Sequence, residues 1–175
     1  AQSGTALAAQ PSDSIVRLAL DTARVRGAPF VTLLDEGVYR LEADGRSRLE
    51  LRQVVQLLDG NAARSAAERS LAYQGGTQAL TVRWVRVLRA NGDVISDSVA
   101  QSQDAEVPVS MNNPIYTGQR VRRLSLAGVG PGVIIDIAYT LEQRSPPRPG
   151  DFMARWTLGG TVPVRRSRFV VDAPN

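Results

Sequence analysis

Short runs in which apolar and polar residues alternate with a period of two, each stopped by a glycine-containing turn, dominate the chain. This pattern constrains the fold more than any other feature, because only an extended strand sends successive side chains to opposite faces. The clearest run is Val133 to Leu141, with Val133, Ile135, Ile137, Tyr139 and Leu141 on one phase and Asp136, Ala138 and Thr140 on the other. Arg46 to Leu58 repeats it, setting Leu49, Leu51, Val55 and Leu57 against Arg48, Glu50 and Arg52. It follows Asp44-Gly45, a hairpin signal, and stops at Asp59-Gly60. Phe30 to Leu34 and Val38 to Glu42 read as two short strands about a turn at Asp35-Glu36-Gly37. In Ala79 to Arg89, Leu80, Val82 and Trp84 share one phase, while Val85 and Val87 take the other. The slip predicts a bulge near Trp84-Val85 or burial of both faces.

Further strands are expected at Val94-Ile95 after the Asn91-Gly92-Asp93 turn, at Val121 to Leu126, at Asp151 to Leu158 and at Val162 to Asp172. Residues 61–73 are rich in Ala and carry Glu68, which favours helix by propensity. Their place between strands favours an extended edge, and both readings stand. Residues 96–114 have no periodic signal, contain Pro108 and Pro114, and read as a long loop. Residues 1–27 read as a flexible lead-in, in which 15–25 has the spacing of a short helix. The expected fold is all-β: one two-sheet antiparallel β-sandwich over residues 28–175, with about eight to nine strands.

Composition narrows the chemistry. The chain of 175 residues has no His, no Cys and no Lys, so all 21 of its basic residues are Arg. A Ser-His-Asp or Cys-His triad, a zinc-thiolate site, Schiff-base chemistry and a lysine-bearing phosphate loop are excluded within this chain. Its formal net charge is +4, and its 17 acidic residues are interleaved with the arginines. The arginine runs Arg120-Arg122-Arg123 and Arg165-Arg166-Arg168 therefore read as solvated strand surface, with a polyanion site as the sharper alternative; no nucleic-acid partner is expected. No stretch approaches the roughly 20 apolar residues of a membrane-spanning helix. The small residues of Ala1-Gln2-Ser3-Gly4 and Ala6-Leu7-Ala8-Ala9 suit the surroundings of a signal-peptide cleavage site, so a periplasmic or secreted location is expected.

Gly128-Val129-Gly130-Pro131-Gly132 precedes a strand, whereas a phosphate cradle precedes a helix, so it reads as a turn. The nearest carboxylate pairs are Asp35-Glu36 and Asp104 with Glu106. Both are expected on turns or loops as solvated charge, with no calcium-loop pattern. Trp84 and Tyr139 sit in phase with core positions. Tyr116 and Trp156 remain as candidate stacking platforms for a sugar or peptide. Together with Arg120 and Arg122 they form the candidate ligand contacts; no catalytic residue, metal ligand or cofactor is assigned.

The order of these features resembles the bacterial domain-of-unknown-function family DUF3857. The collinear pieces are Pro29-Phe30-Val31-Thr32-Leu33-Leu34-Asp35, Val38-Tyr39-Arg40, Val54-Val55-Gln56-Leu57-Leu58, Ala79-Leu80-Thr81-Val82 with Asn91-Gly92-Asp93, Pro114-Ile115-Tyr116, Leu124-Ser125-Leu126, Gly132-Val133-Ile134-Ile135, Val162-Pro163-Val164-Arg165-Arg166-Ser167 and Ala173-Pro174. The resemblance implies a β-sandwich exported to the bacterial envelope beside a transglutaminase-like or protease-like domain. That neighbour would carry the Cys-His-Asp chemistry. This chain is then expected to be a non-catalytic binding or scaffolding module for that domain or another envelope protein. A stand-alone carbohydrate- or peptidoglycan-binding sandwich is the second expectation. A hydrolase using carboxylates alone is the third, and it requires two acids converging in a pocket.

Overall fold

The computed structural model describes residues 7, 14, 15, 17–19, 25, 27–107, 118–146, 154–158 and 160–174. Nine strands and one helix are laid out along them: β1 (Phe30–Leu41), β2 (Ser47–Leu57), α1 (Gly60–Ala66), β3 (Glu68–Gln74), β4 (Gln78–Leu88), β5 (Val94–Ser96), β6 (Gln101–Glu106), β7 (Gln119–Ser125), β8 (Ile134–Gln143) and β9 (Ser167–Asp172). They form a six-stranded sheet in the order β5-β4-β8-β2-β1-β9 and a three-stranded sheet in the order β3-β7-β6.

The main core lies between the two sheets. Val55 and Leu57 of β2, Val85 and Val87 of β4, and Ile135 and Ile137 of β8 meet Leu71 of β3, Leu124 of β7 and the α1 alanines Ala62, Ala63 and Ala66. Full burial of each large aliphatic side chain contributes on the order of 1.5–3 kcal/mol. The opposite face of the large sheet is covered too. Val31, Leu33, Leu34, Val54, Leu88 and Ile134 form a second cluster with Ile15, which is fully buried. The lead-in expected over residues 1–27, with its helix over 15–25, falls mostly outside the described residues. Its described part is docked here: Leu18 and Ala19 pack against the cluster, and the Leu7 N–H donates to Glu50 Oε2 at 3.0 Å.

Several local expectations change. Asp35-Glu36-Gly37 is no turn; β1 runs straight through it, pairing Asp35, Glu36 and Gly37 with Gln53, Arg52 and Leu51 of β2. Phe30 to Leu41 is one strand with a bulge between Thr32 and Leu34. The β4 bulge falls between Val82 and Trp84, a step earlier than the phase slip indicated. The extra residue therefore turns Trp84 away from Leu80 and Val82 to the other face of the sheet, opposite Ala138. Residues 61–73 divide between the two readings: α1 gives way at once to β3. Residues 101–106 form a strand, β6, which carried no apolar alternation because nearly all of its side chains are exposed. Residues 154–158 are not strand, and of the expected Val162 to Asp172 run only Ser167–Asp172 is. The sandwich is not wholly antiparallel either, since β9 pairs with β1 in parallel.

Candidate functional site

β2 presents Gln53, Val55 and Leu57 to the interior, and β8 presents Ile135 and Ile137 beside them, in the register Gln53↔Ile137 and Val55↔Ile135. α1 crosses above. Its start is fixed by Asp59, whose carboxylate accepts the Ala62 N–H at 2.7 Å, satisfying one of the amides that a helix start leaves without a partner. The helix then brings small residues, Ala62, Ser65 and Ala66, over the strands, and β3 brings Arg69. Because these α1 side chains are short, the packing between the layers is incomplete here, and a cavity of about 310 Å³ remains. Its floor is the buried apolar set Val55, Leu57, Ile135 and Ile137; Pro29, Asn61 and Ser65 are exposed at its mouth. No Asp or Glu lines it.

The polar side of the cavity is built from groups far apart in sequence. Arg69 Nη2 donates to Gln53 Oε1 at 2.7 Å. Gln53 in turn donates to Asp35 of β1, so it stands between the carboxylate and the guanidinium. Burial lowers the Arg69 pKa from its usual range, an effect opposed by the nearby Tyr139. Burial likewise raises the pKa of Asp35, against the Gln53 hydrogen bond, and of the Tyr139 phenol, against Arg69. The place is one where every charge is partly stripped of water.

The carboxylate pairs do not converge. Asp35 faces the cavity side of the sheet and its neighbour Glu36 the opposite side, as strand alternation demands. Asp104 is held by Arg122 and Glu106 lies near Arg120. No group of three or more His, Cys, Asp or Glu able to hold a metal occurs among the described residues. No helix among them is long and apolar enough to cross a membrane.

The ligand contacts expected from sequence are scattered. Tyr116 lies outside the described residues. Trp156 is half-buried, stacks on Phe169 with ring centres 4.8 Å apart, and donates Nε1–H to Ser167 Oγ at 2.8 Å. Arg122 shares the inward phase of Leu124 on β7. It binds Asp104 through Nε and Nη2 at 2.8 and 2.7 Å and donates Nη1–H to the Leu80 carbonyl of β4 at 3.1 Å. It thus ties β7 of the small sheet to β4 of the large one. Arg120 stays exposed, 3.7 Å from Glu106. Trp156, Arg120 and Arg122 do not line the cavity. Sequence reasoning missed Gln53 and Arg69. The signal for Gln53 was its position on the apolar phase of β2, between Leu51 and Val55; Arg69 had none, since it lies in the stretch of undecided structure.

The family model of the Domain of Unknown Function with solved structure, DUF3857, matches residues 43–175. The chain belongs to that family. No curated protein matches. Among solved structures, a "putative protease" from Parabacteroides distasonis shares the fold at a TM-score of 0.59 and 16% identity, covering 67% of this chain and 23% of that one. The chain thus spans about a quarter of that protein. The CBM3a-L domain of the scaffoldin cipA of the Clostridium thermocellum cellulosome aligns at a TM-score of 0.38 and 11% identity, over 66% of this chain and 68% of that one.

Proposed function

We propose that this DUF3857 domain is a non-catalytic binding or scaffolding module of an exported bacterial protein, working beside a transglutaminase-like or protease-like domain. One observation carries the reading. The cavity between the sheets is lined by apolar side chains, the uncharged polar groups of Gln53, Asn61 and Ser65, and a single guanidinium, with no carboxylate, in a chain that has no His, Cys or Lys. Such a place can hold a molecule, yet it offers no nucleophile–base pair and no acid–base pair. The fold match to one quarter of a larger protein supports a modular role. The glycan-binding alternative rests on exposed aromatic platforms, and Trp156 has one ring face and its N–H engaged within the fold.

The test is to read the gene past Asn175 and to mix the purified module with the domain found there. A downstream domain with a Cys–His core that co-elutes with the module in size-exclusion chromatography is the expected result. A gene without such a domain, together with retention of the module on peptidoglycan, would replace this reading by the glycan-binding one.

A further inference from the structure

Among the described residues, the buried and half-buried arginines of the strands are ion-paired, with one exception. Arg40 and Arg48 meet Glu50, Arg52 and Arg86 meet Asp136, and Arg122 meets Asp104. Arg69 is half-buried as well, and its hydrogen-bond partner is the neutral amide of Gln53. A cation drawn out of water without a counter-charge is costly, and an anion beside it removes much of that cost. The lowered pKa of Arg69 has burial as its leading cause.

The space beside Arg69 says what the anion would carry with it. Val55, Leu57, Ile135 and Ile137 form an apolar floor, and a volume of about 310 Å³ stands at the small end of the 300–1,000 Å³ range of small-molecule pockets. Exposed Pro29, Asn61 and Ser65 leave the mouth open to solvent. With no carboxylate in the lining and Gln53 screening Asp35, nothing in the wall repels a negative head group. Gln53 engages one terminal nitrogen of the guanidinium, and the rest of the planar fork matches the two oxygens of a carboxylate. One positive charge also selects a monoanion, since a dianion would carry surplus charge into an apolar pocket.

We infer that this cavity binds a small apolar monocarboxylate, its chain on the β2–β8 floor and its carboxylate on Arg69. The inference rests on the reading of the domain as a binding module and names the class of molecule it takes.

Octanoate serves as the probe and 1-octanol as its uncharged match, each titrated into the ¹⁵N-labelled domain and followed by amide chemical shifts. Octanoate should produce saturable shifts centred on Val55, Ala62, Ala66 and Ile137, with at least ten-fold weaker binding for octanol. Arg69→Gln, which keeps a hydrogen-bonding side chain beside Gln53, should weaken octanoate by at least ten-fold too. The octanol comparison uses the unmodified protein, so it decides the matter even if the variant folds poorly. Equal affinity for octanol and octanoate, undiminished octanoate binding by a folded Arg69→Gln, or no saturable shift at these amides would overturn the assignment. Capture of the downstream domain is scored separately. If it persists when octanoate fails, only the ligand class is lost; if it fails while octanoate binds, the carboxylate site stands and the partner assignment falls.

Discussion

Asp136 of β8 accepts hydrogen bonds from Nε and Nη2 of Arg52 on β2 at 2.9 and 3.2 Å, with the two side chains 0% and 1% exposed. Arg86 of β4 reaches the same carboxylate from the other side, and Arg52 lies over the Trp84 ring, 5.7 Å from its centre. One anion therefore joins three adjacent strands of the large sheet, β4, β8 and β2, on the face away from the cavity.

Removing that anion while keeping its shape should be expensive. Asp136→Asn withdraws the carboxylate from two guanidinium groups, one of them fully buried, and breaking a buried pair from one side costs about 3–5 kcal/mol. The exposed pair of Arg120 with Glu106, 3.7 Å apart, gives the contrast: Glu106→Gln should change stability by less than about 1 kcal/mol. Urea unfolding of the two variants measures both. A loss below about 1 kcal/mol in Asp136→Asn would mean that the pair is no more stabilising than a surface contact.

Gly37 is required for space. A Cβ there would come within 2.6 Å of Trp156 Cζ3 and 2.8 Å of Phe169 Cδ2. Gly37→Ala should therefore displace the Trp156–Phe169 stack, at a cost of about 1–3 kcal/mol, with a red shift of tryptophan emission as the indole gains water. Adding Trp156→Leu should recover part of the lost stability by relieving the contact. If the single variant keeps both its emission and its stability, the ring packing against Gly37 is not what fixes this position.

Asp35 should make the fold less stable as pH rises. Burial raises its pKa above the ordinary 3.8, outweighing the hydrogen bond from Gln53. The unfolded chain therefore ionises this group more readily than the folded one, so the favourable contribution of the protonated form is fully present below pH 3.8 and is lost as pH climbs through the raised value. Asp35→Asn removes that dependence. Relative to the wild type, the variant should gain stability from acidic to neutral pH, with the difference vanishing near pH 3. Denaturation curves at pH 3, 5 and 7 check this, and a difference independent of pH would assign the effect to shape instead of charge.

The strongest strands were legible because their signal is local. β2 and β8 alternate cleanly, and Asp44-Gly45, Asn91-Gly92 and the glycines at 128 and 132 mark turns where Gly45, Gly92, Gly128 and Gly132 take positive φ, a conformation that costs other residues more. Where the signal was weak, the strand was missed. β6 lies at the edge of the small sheet with almost no buried face, so it has no alternation to read. Asp35-Glu36-Gly37 looked like a turn because its residues are typical of turns. Pairing with β2 and the close approach of Trp156 and Phe169 hold it in a strand instead.

The sequence by itself determined that the chain would be a β-sandwich and that the commonest catalytic machinery could not be assembled from it, because period-two patterning and residue inventory are properties of the chain alone. It did not determine what the polar phase of each strand would face. Arg52 and Asp136 sit on the polar phases of strands 84 positions apart. They are buried because the β4-β8-β2 order makes them neighbours, and residues from the N-terminal segment, including Ile15, pack on the same face of the sheet. Arg69 and Gln53 likewise become a binding candidate only when the two sheets close with α1 between them, since the short side chains of that helix leave the space unfilled. Alternation is written into neighbouring residues, whereas burial, charge pairing and cavities are set by sheet order and by the separation between layers.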